Sequence, residues 1–318
     1  MMRVACVGIL VADAIVSQVE GYPGRGVLKR VDSVTLHNGG NAMTAAMNLR
    51  KLGVESALVG KVGCDIFGDF LRERLVSAGV DVKGLRADPT SQTSVSIVML
   101  DATSERSFLH CVGANGTFGI KDIDYSVIES CDLVFVTGSF LMDTFDGAQT
   151  AEFLKTCKKM GKTTFLDVCW DAKNKWSELL DPAMPYIDYL MPSIDEAERL
   201  ADCRDPDEIS AVFMNKGVRN VVIKLGGEGS YLRLEGEKKG RVFPAVKGVT
   251  AVDTTGAGDS FCSGFLAAYA RGKSPEECIT FANATGALCV TAQGATTGIR
   301  TYEETICFME EMKNARNS

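Results

Sequence analysis

Asp253-Thr254-Thr255-Gly256-Ala257-Gly258-Asp259-Ser260-Phe261-Cys262-Ser263-Gly264-Phe265 decides how the rest of this 318-residue chain is read. Two glycines open an apolar, small-residue helix and a carboxylate falls on its first turn. Gly256 and Gly258 allow positive φ and close approach by a ligand, while the N–H groups and dipole of a helix start attract an anion. An anion hole beside Asp259 suits phosphoryl transfer: the amides hold the migrating group and the carboxylate takes the proton of an attacking hydroxyl. Taken alone, the stretch reads more readily as an ordinary helix entry with an acidic first turn.

Working outward, short apolar runs alternate with helical patterns. Strands are expected at 4–9, 56–60, 133–136, 163–167, 189–191 and 221–224, with helices such as 42–52 and 66–78 between them. Continuous apolar strands separated by helices indicate a parallel sheet covered on both faces, with its site beyond the strand C-termini. Two segments, 14–36 and 92–113, break the rhythm and read as antiparallel excursions forming a small β-sheet lid.

The strand ends carry further signals. Asn38-Gly39-Gly40-Asn41 precedes the first long helix and is either a ligand-facing turn or a plain helix entry. Asp13, placed directly after the first strand, is positioned to grip two hydroxyls of a sugar; the alternative is a surface carboxylate. Asp65 reads as a helix cap. Glu196, after Pro192-Ser193, is either part of a solvated helix start or a residue holding Mg²⁺ through water.

Composition excludes other classes. A formal charge of −7 with scattered Lys and Arg leaves no nucleic-acid footprint. The eleven cysteines contain no CxxC and read as reduced thiols, with neither a disulfide framework nor a zinc site. No signal-peptide pattern and no run of membrane-spanning length is visible, so a cytoplasmic protein with no membrane partner is expected.

From Asp13 to about Ala295 the chain resembles the ribokinase/PfkB family of carbohydrate kinases, most specifically over 253–265. The resemblance implies an α/β fold: a Rossmann-type parallel-sheet sandwich forming one kinase domain over 1–318, with the lid at about 14–36 and 92–113. It also implies that Asp259 is the catalytic base and the Gly256-Ala257-Gly258-Asp259 turn its anion hole. Asp13, Gly39, Gly40 and Asn41 would bind substrate. Lys224, Gly226, Gly229 and Asn283 would bind ATP. Mg²⁺ would sit by Glu196, and a monovalent cation such as K⁺ would lie near Asp253 and Thr255. Lids of this kind commonly pair across a homodimer.

Several positions depart from the family pattern. Thr44 stands where the glycine motif usually has Asn, and Ser193 replaces the Asn before the metal-associated Glu. Asp167-Val168-Cys169-Trp170-Asp171 replaces the Asp-Pro-Asn-x-Arg of kinases acting on acidic sugars. Asp171 would offer an anionic acceptor a like charge or no partner, which favours a neutral sugar unless Lys29, Arg30 or Arg106 on the lid supplies the cation. His37 and His110 read as lid or surface residues. The reading is therefore an ATP-dependent kinase of a small neutral sugar. The alternatives are a 2-keto-3-deoxygluconate kinase, a nucleoside kinase, which Tyr22 or Phe108 could serve, and a non-catalytic sugar or nucleotide sensor.

Overall fold

The computed structural model describes residues 1–17, 19, 21–101 and 106–315. Its strands are β1 (Val4–Gly8), β2 (Val11–Ser17), β3 (Ser33–Gly39), β4 (Ser56–Gly63), β5 (Asp81–Asp88), β6 (Val95–Leu100), β7 (Arg106–Cys111), β8 (Leu133–Ser139), β9 (Thr163–Val168), β10 (Tyr189–Leu190), β11 (Asn220–Lys224), β12 (Gly229–Arg233) and β13 (Arg241–Pro244).

Nine strands form one sheet in the order β13-β12-β11-β10-β9-β8-β1-β4-β5, parallel from β11 to β5 with β12 and β13 antiparallel at one edge. Alternate side chains sort to its two faces. Cys6, Phe135 and Phe165 pack with Met43, Phe261 and Phe265 on one face, whereas Val7, Val136 and Leu166 pack with Phe153 and Phe213 on the other. Both faces are dry, which is why the central strands read as uninterrupted apolar runs.

The remaining strands form a second, separate sheet in the order β3-β2-β6-β7. Two boundaries differ from those expected. The first excursion begins at Val11 rather than 14 and ends at Gly39 rather than 36. Asp13 is consequently not a cap on the central strand but the third residue of β2. The change of sheet occurs at Leu10, whose backbone N–H and C=O are both taken by the Asn115 side chain, at 3.2 and 2.8 Å. The sequence conceals this because Val11 and Ala12 continue the apolar run of β1. In the second excursion β6 and β7 fall as expected, while residues 102–105, Glu105 among them, and the side chain of Arg106 lie outside the described residues.

Strands β5, β12 and β13 were not foreseen. β5 and β13 are the two edges of the large sheet, where exposed polar residues interrupt the apolar signal, whereas β12 is a short, mostly buried strand next to the edge whose Gly229-Ser230 start resembles a turn.

Candidate active site

The helix Ala257–Tyr269 starts from Gly256, which sits at φ 72°. A β-carbon there would overlap Cβ of Ala295, so both the left-handed backbone and the contact with the 294–295 loop demand glycine. No side chain caps this helix start. Ala257 N–H turns back to Thr254 O at 3.3 Å, leaving Gly258 and Asp259 as the first-turn amides directed beyond the helix. Ala257 therefore contributes to the shape of the turn rather than to an anion hole.

Asp259, on the first turn, is half-buried. Its Oδ1 accepts a 2.7 Å bond from Asn41 Nδ2. Burial raises its pKa above the ordinary carboxylate value, the Lys224 charge and the Asn41 bond oppose that rise, and the Glu196 charge adds to it. Asn41 opens the helix Asn41–Lys51, capped by Gly40 at φ 87°. A β-carbon on Gly40 would lie 2.6 Å from Ile9 O, so the two chain segments can meet only at glycine. Gly39 lays its bare face on the Asp13 carboxylate. Asn41 is thus joined to Asp259, and Asp13 meets Gly39 two residues before Asn41.

Asp13 also stands in a polar row that the sequence did not disclose. His37, Asp13, Ser96 and His110 lie opposite one another across β3, β2, β6 and β7. Ser96 Oγ is 3.0 Å from His110 Nδ1. Burial pushes the Asp13 carboxyl up to about 6, against the Ser96 hydroxyl bond that lowers it. Only strand register aligns residues so far apart in sequence. His37 bonds Thr35 Oγ1 at 3.0 Å, and among the described residues neither imidazole belongs to a metal cluster.

Beneath the turn, Lys224 ends β11 and Asp167 nearly ends β9. Lys224 Nζ lies 2.8 Å from both Asp167 carboxylate oxygens. It also lies 3.5 Å from where a Gly258 β-carbon would be, so the ammonium is pressed against the turn. Burial disfavours its charge, but Asp167, Cys262 and Glu196 together more than compensate and hold it protonated. Asp167 was not singled out from the sequence; the signal was the matched position of two opposite charges at the ends of two apolar parallel strands.

Asp171, expected to offer an anionic acceptor a like charge or no partner, fits the second of these. It is buried, and its carboxylate accepts Lys173 N at 2.8 Å, Trp176 N at 2.6 Å and Lys175 N. It holds its own loop and presents no charge to an acceptor. Ser193 and Glu196 form a capping box, with Ser193 N donating to Glu196 Oε2 at 2.8 Å, so the serine keeps the helix start that the usual Asn would make.

A cavity of about 620 Å³ opens beside the turn, lined by Gly226, Val249, Asn283 and Val290 among others. Gly226 meets nothing that a β-carbon would touch and leaves the cavity wall low. Gly229 has another reason, since a β-carbon there would strike Phe243 O across the β12–β13 pair. Asn283 lines the cavity, but its amide is used by Ser230 Oγ at 3.0 Å and Phe243 O at 3.2 Å, fixing the edge strands to the helix Pro275–Cys289.

The cation positions can be judged by their donors. Glu196 offers a single carboxylate, with Oε2 already accepting from the backbone, and no group of three or more His, Cys, Asp or Glu among the described residues is placed to hold a metal. This fits Mg²⁺ held through water and shared with phosphates. Asp253 accepts from Thr255 N at 2.8 Å and Gly294 N at 2.9 Å, which ties the loop before the helix to the 294–295 loop.

Residues 1–301 match the description of the pfkB family carbohydrate kinases, and the chain belongs to that family. It is a phosphotransferase with an alcohol group as acceptor. Among its relatives, a ribokinase of Arabidopsis thaliana is 32% identical over 302 residues, spanning 91% of this chain and 76% of that one. A 2-dehydro-3-deoxygluconokinase of Thermoproteus tenax is 29% identical, over 85% of this chain and 84% of its own. The solved structure of Arabidopsis thaliana ribokinase complexed with ribose and ATP superposes with a TM-score of 0.85 at 26% identity, covering 97% of this chain and 99% of that one. The fold expected from the sequence, a ribokinase-like α/β sandwich with a smaller second sheet, is the fold observed.

Proposed function

We propose that this protein transfers the γ-phosphoryl group of ATP to a hydroxyl of a small neutral sugar, with Asp259 as the base. The observation that carries this reading is the half-buried Asp259 carboxylate on the first turn of an uncapped helix, next to Asn41 and within the field of Lys224. Asp13 and the Gly39-Gly40-Asn41 turn hold the acceptor so that one hydroxyl faces Asp259. Asp259 takes its proton, and the amides of Gly258 and Asp259 hold the phosphoryl oxygens while Lys224 lends positive charge from below.

ATP lies in the cavity beside Lys224, Gly226 and Asn283, whose apolar walls accept a base and ribose. Mg²⁺, held by Glu196 through water, would neutralise phosphate charge when bound. A monovalent cation such as K⁺ would sit near Asp253 and Thr255. The four-stranded sheet acts as a lid over one kinase domain, excluding water from the reaction. Eleven unpaired cysteines support a cytoplasmic setting.

A neutral acceptor is favoured because the row of Asp13, Ser96 and His110 matches hydroxyls, and because Asp171 turns into its own loop where the acid-sugar kinases present Arg. The test compares kcat/KM by coupled ADP release for ribose, fructose, 2-keto-3-deoxygluconate and nucleosides. A neutral sugar should lead; a tenfold advantage for the keto-acid would reject the substrate class. Asp259→Asn should bind ATP yet lose on the order of 10²-fold or more in kcat, the scale of a lost general base. Near wild-type turnover in that variant would reject the mechanism.

A further inference from the structure

Cys169 lies one residue beyond β9 and was noted in the sequence only as a departure. Its backbone N–H donates to Ser139 O at 3.0 Å, which anchors it to the end of β8. Its Sγ lies 3.2 Å from Asn41 Oδ1, while Asn41 Nδ2 is 2.7 Å from Asp259 Oδ1. Three side chains from three elements thus form one hydrogen-bonded line ending on the proposed base.

An asparagine amide has two unlike ends, and turning it over would set its carbonyl against the Asp259 carboxylate. What decides the orientation is the group at the far end. Cys169 can donate there only as a thiol. Burial, followed by the charges of Glu196, Asp167 and Asp259, opposes the thiolate and holds its pKa well above the ordinary thiol value. An S–H donor is weak, so its effect is on orientation more than on stability.

We propose that Cys169 is a positioning residue for phosphoryl transfer: its S–H fixes the Asn41 amide so that the NH₂ end holds one oxygen of Asp259 and leaves the other for the acceptor hydroxyl. The thiol touches neither the reacting hydroxyl nor the phosphoryl group, and no bond is made to sulfur. The inference rests on Asp259 acting as the base.

The experiment measures kcat and both KM values for Cys169→Ala and Cys169→Ser, each alone and in an Asn41→Ala background, with the best sugar from the acceptor panel. Cys169→Ala should lower kcat roughly tenfold, as expected for about one hydrogen bond, with the KM for ATP within about twofold of wild type. Cys169→Ser, which keeps a donor, should recover most of that loss. In the Asn41→Ala background Cys169→Ala should cost nothing further, because the relay is already cut. Wild-type kcat in Cys169→Ala, failure of serine to recover it, or an undiminished loss without Asn41 would each overturn the proposal. Should Cys169→Ala not fold, Cys169→Val against Cys169→Ser makes the same comparison. The Asp259→Asn variant separates the two levels: if it turns over normally, the base assignment fails and this inference with it. If it is inactive while Cys169→Ala is unimpaired, only this inference fails.

Discussion

On the proposed function, Asp13, whose carboxyl burial pushes up to about 6, accepts hydrogen bonds from a sugar. It does so as a carboxylate, so acceptor binding weakens as pH falls through that value. The acceptor KM should rise roughly tenfold between pH 7 and pH 5, following the ionised fraction, while the KM for ATP stays nearly level. Steady-state kinetics across that range check it, and Asp13→Asn should flatten the acceptor profile at a high KM. The same group carries a stability consequence of fixed sign. Between its ordinary 3.8 and about 6 the folded state binds more protons than the unfolded, so stability falls as pH rises through that window. Asp13→Asn should therefore melt higher than wild type at pH 7.5, with a smaller gain at pH 4, even as it binds sugar worse. Asp259 and Asn41 were legible in the sequence because each sits at a glycine-marked helix start. Ser96, His110 and Asp167 were not, because each acquires its partner through strand register or the meeting of two strand ends.

Among the elements, the turn before the helix Ala257–Tyr269 makes the sharpest demand on sequence. Gly256→Ala forces a β-carbon into Ala295 at φ 72°. Strain of this kind costs on the order of 1–3 kcal/mol, or several degrees of Tm in a chain of this size. Thermal melts and kinetics together should find a lower Tm and a reduced kcat with little change in acceptor KM, since Asp13 and Gly39 sit on other elements. An unchanged kcat would detach the turn from the phosphoryl group. The buried strands could be read because both their faces are apolar, giving runs such as Val4-Ala5-Cys6-Val7. The edge strand Asp81–Asp88 could not, since half its residues meet water and its charges resemble a loop. The start of β2 was misplaced for the opposite reason: the apolar run does not pause where the chain changes sheets.

For the whole molecule, the face of the small sheet opposite Asp13 presents a row of Leu36, Ala14, Ile97 and Leu109 across its four strands. Leu36, Ile97 and Leu109 are 40–47% exposed, more contiguous apolar surface than a sheet leaves to water without a partner. A homodimer through this face is the expected state. Sedimentation should give twice the mass of the 34.1 kDa chain, and Leu36→Glu with Leu109→Glu should reduce it to one chain without unfolding. A wild-type monomer at tens of micromolar would exclude that arrangement. The order of the site residues along the chain has a further consequence. Asp13, Gly39, Gly40 and Asn41 fall within one continuous stretch, Val11 to Asn41, whereas the nucleotide cavity is lined by residues from Lys224 onward. On the proposed reading the acceptor is held mainly by this early stretch, with Ser96 and His110 beside it, and the nucleotide by residues from Lys224 onward. Exchanging the Val11 to Asn41 stretch between two such kinases would then change the choice of sugar while leaving the nucleotide cavity intact.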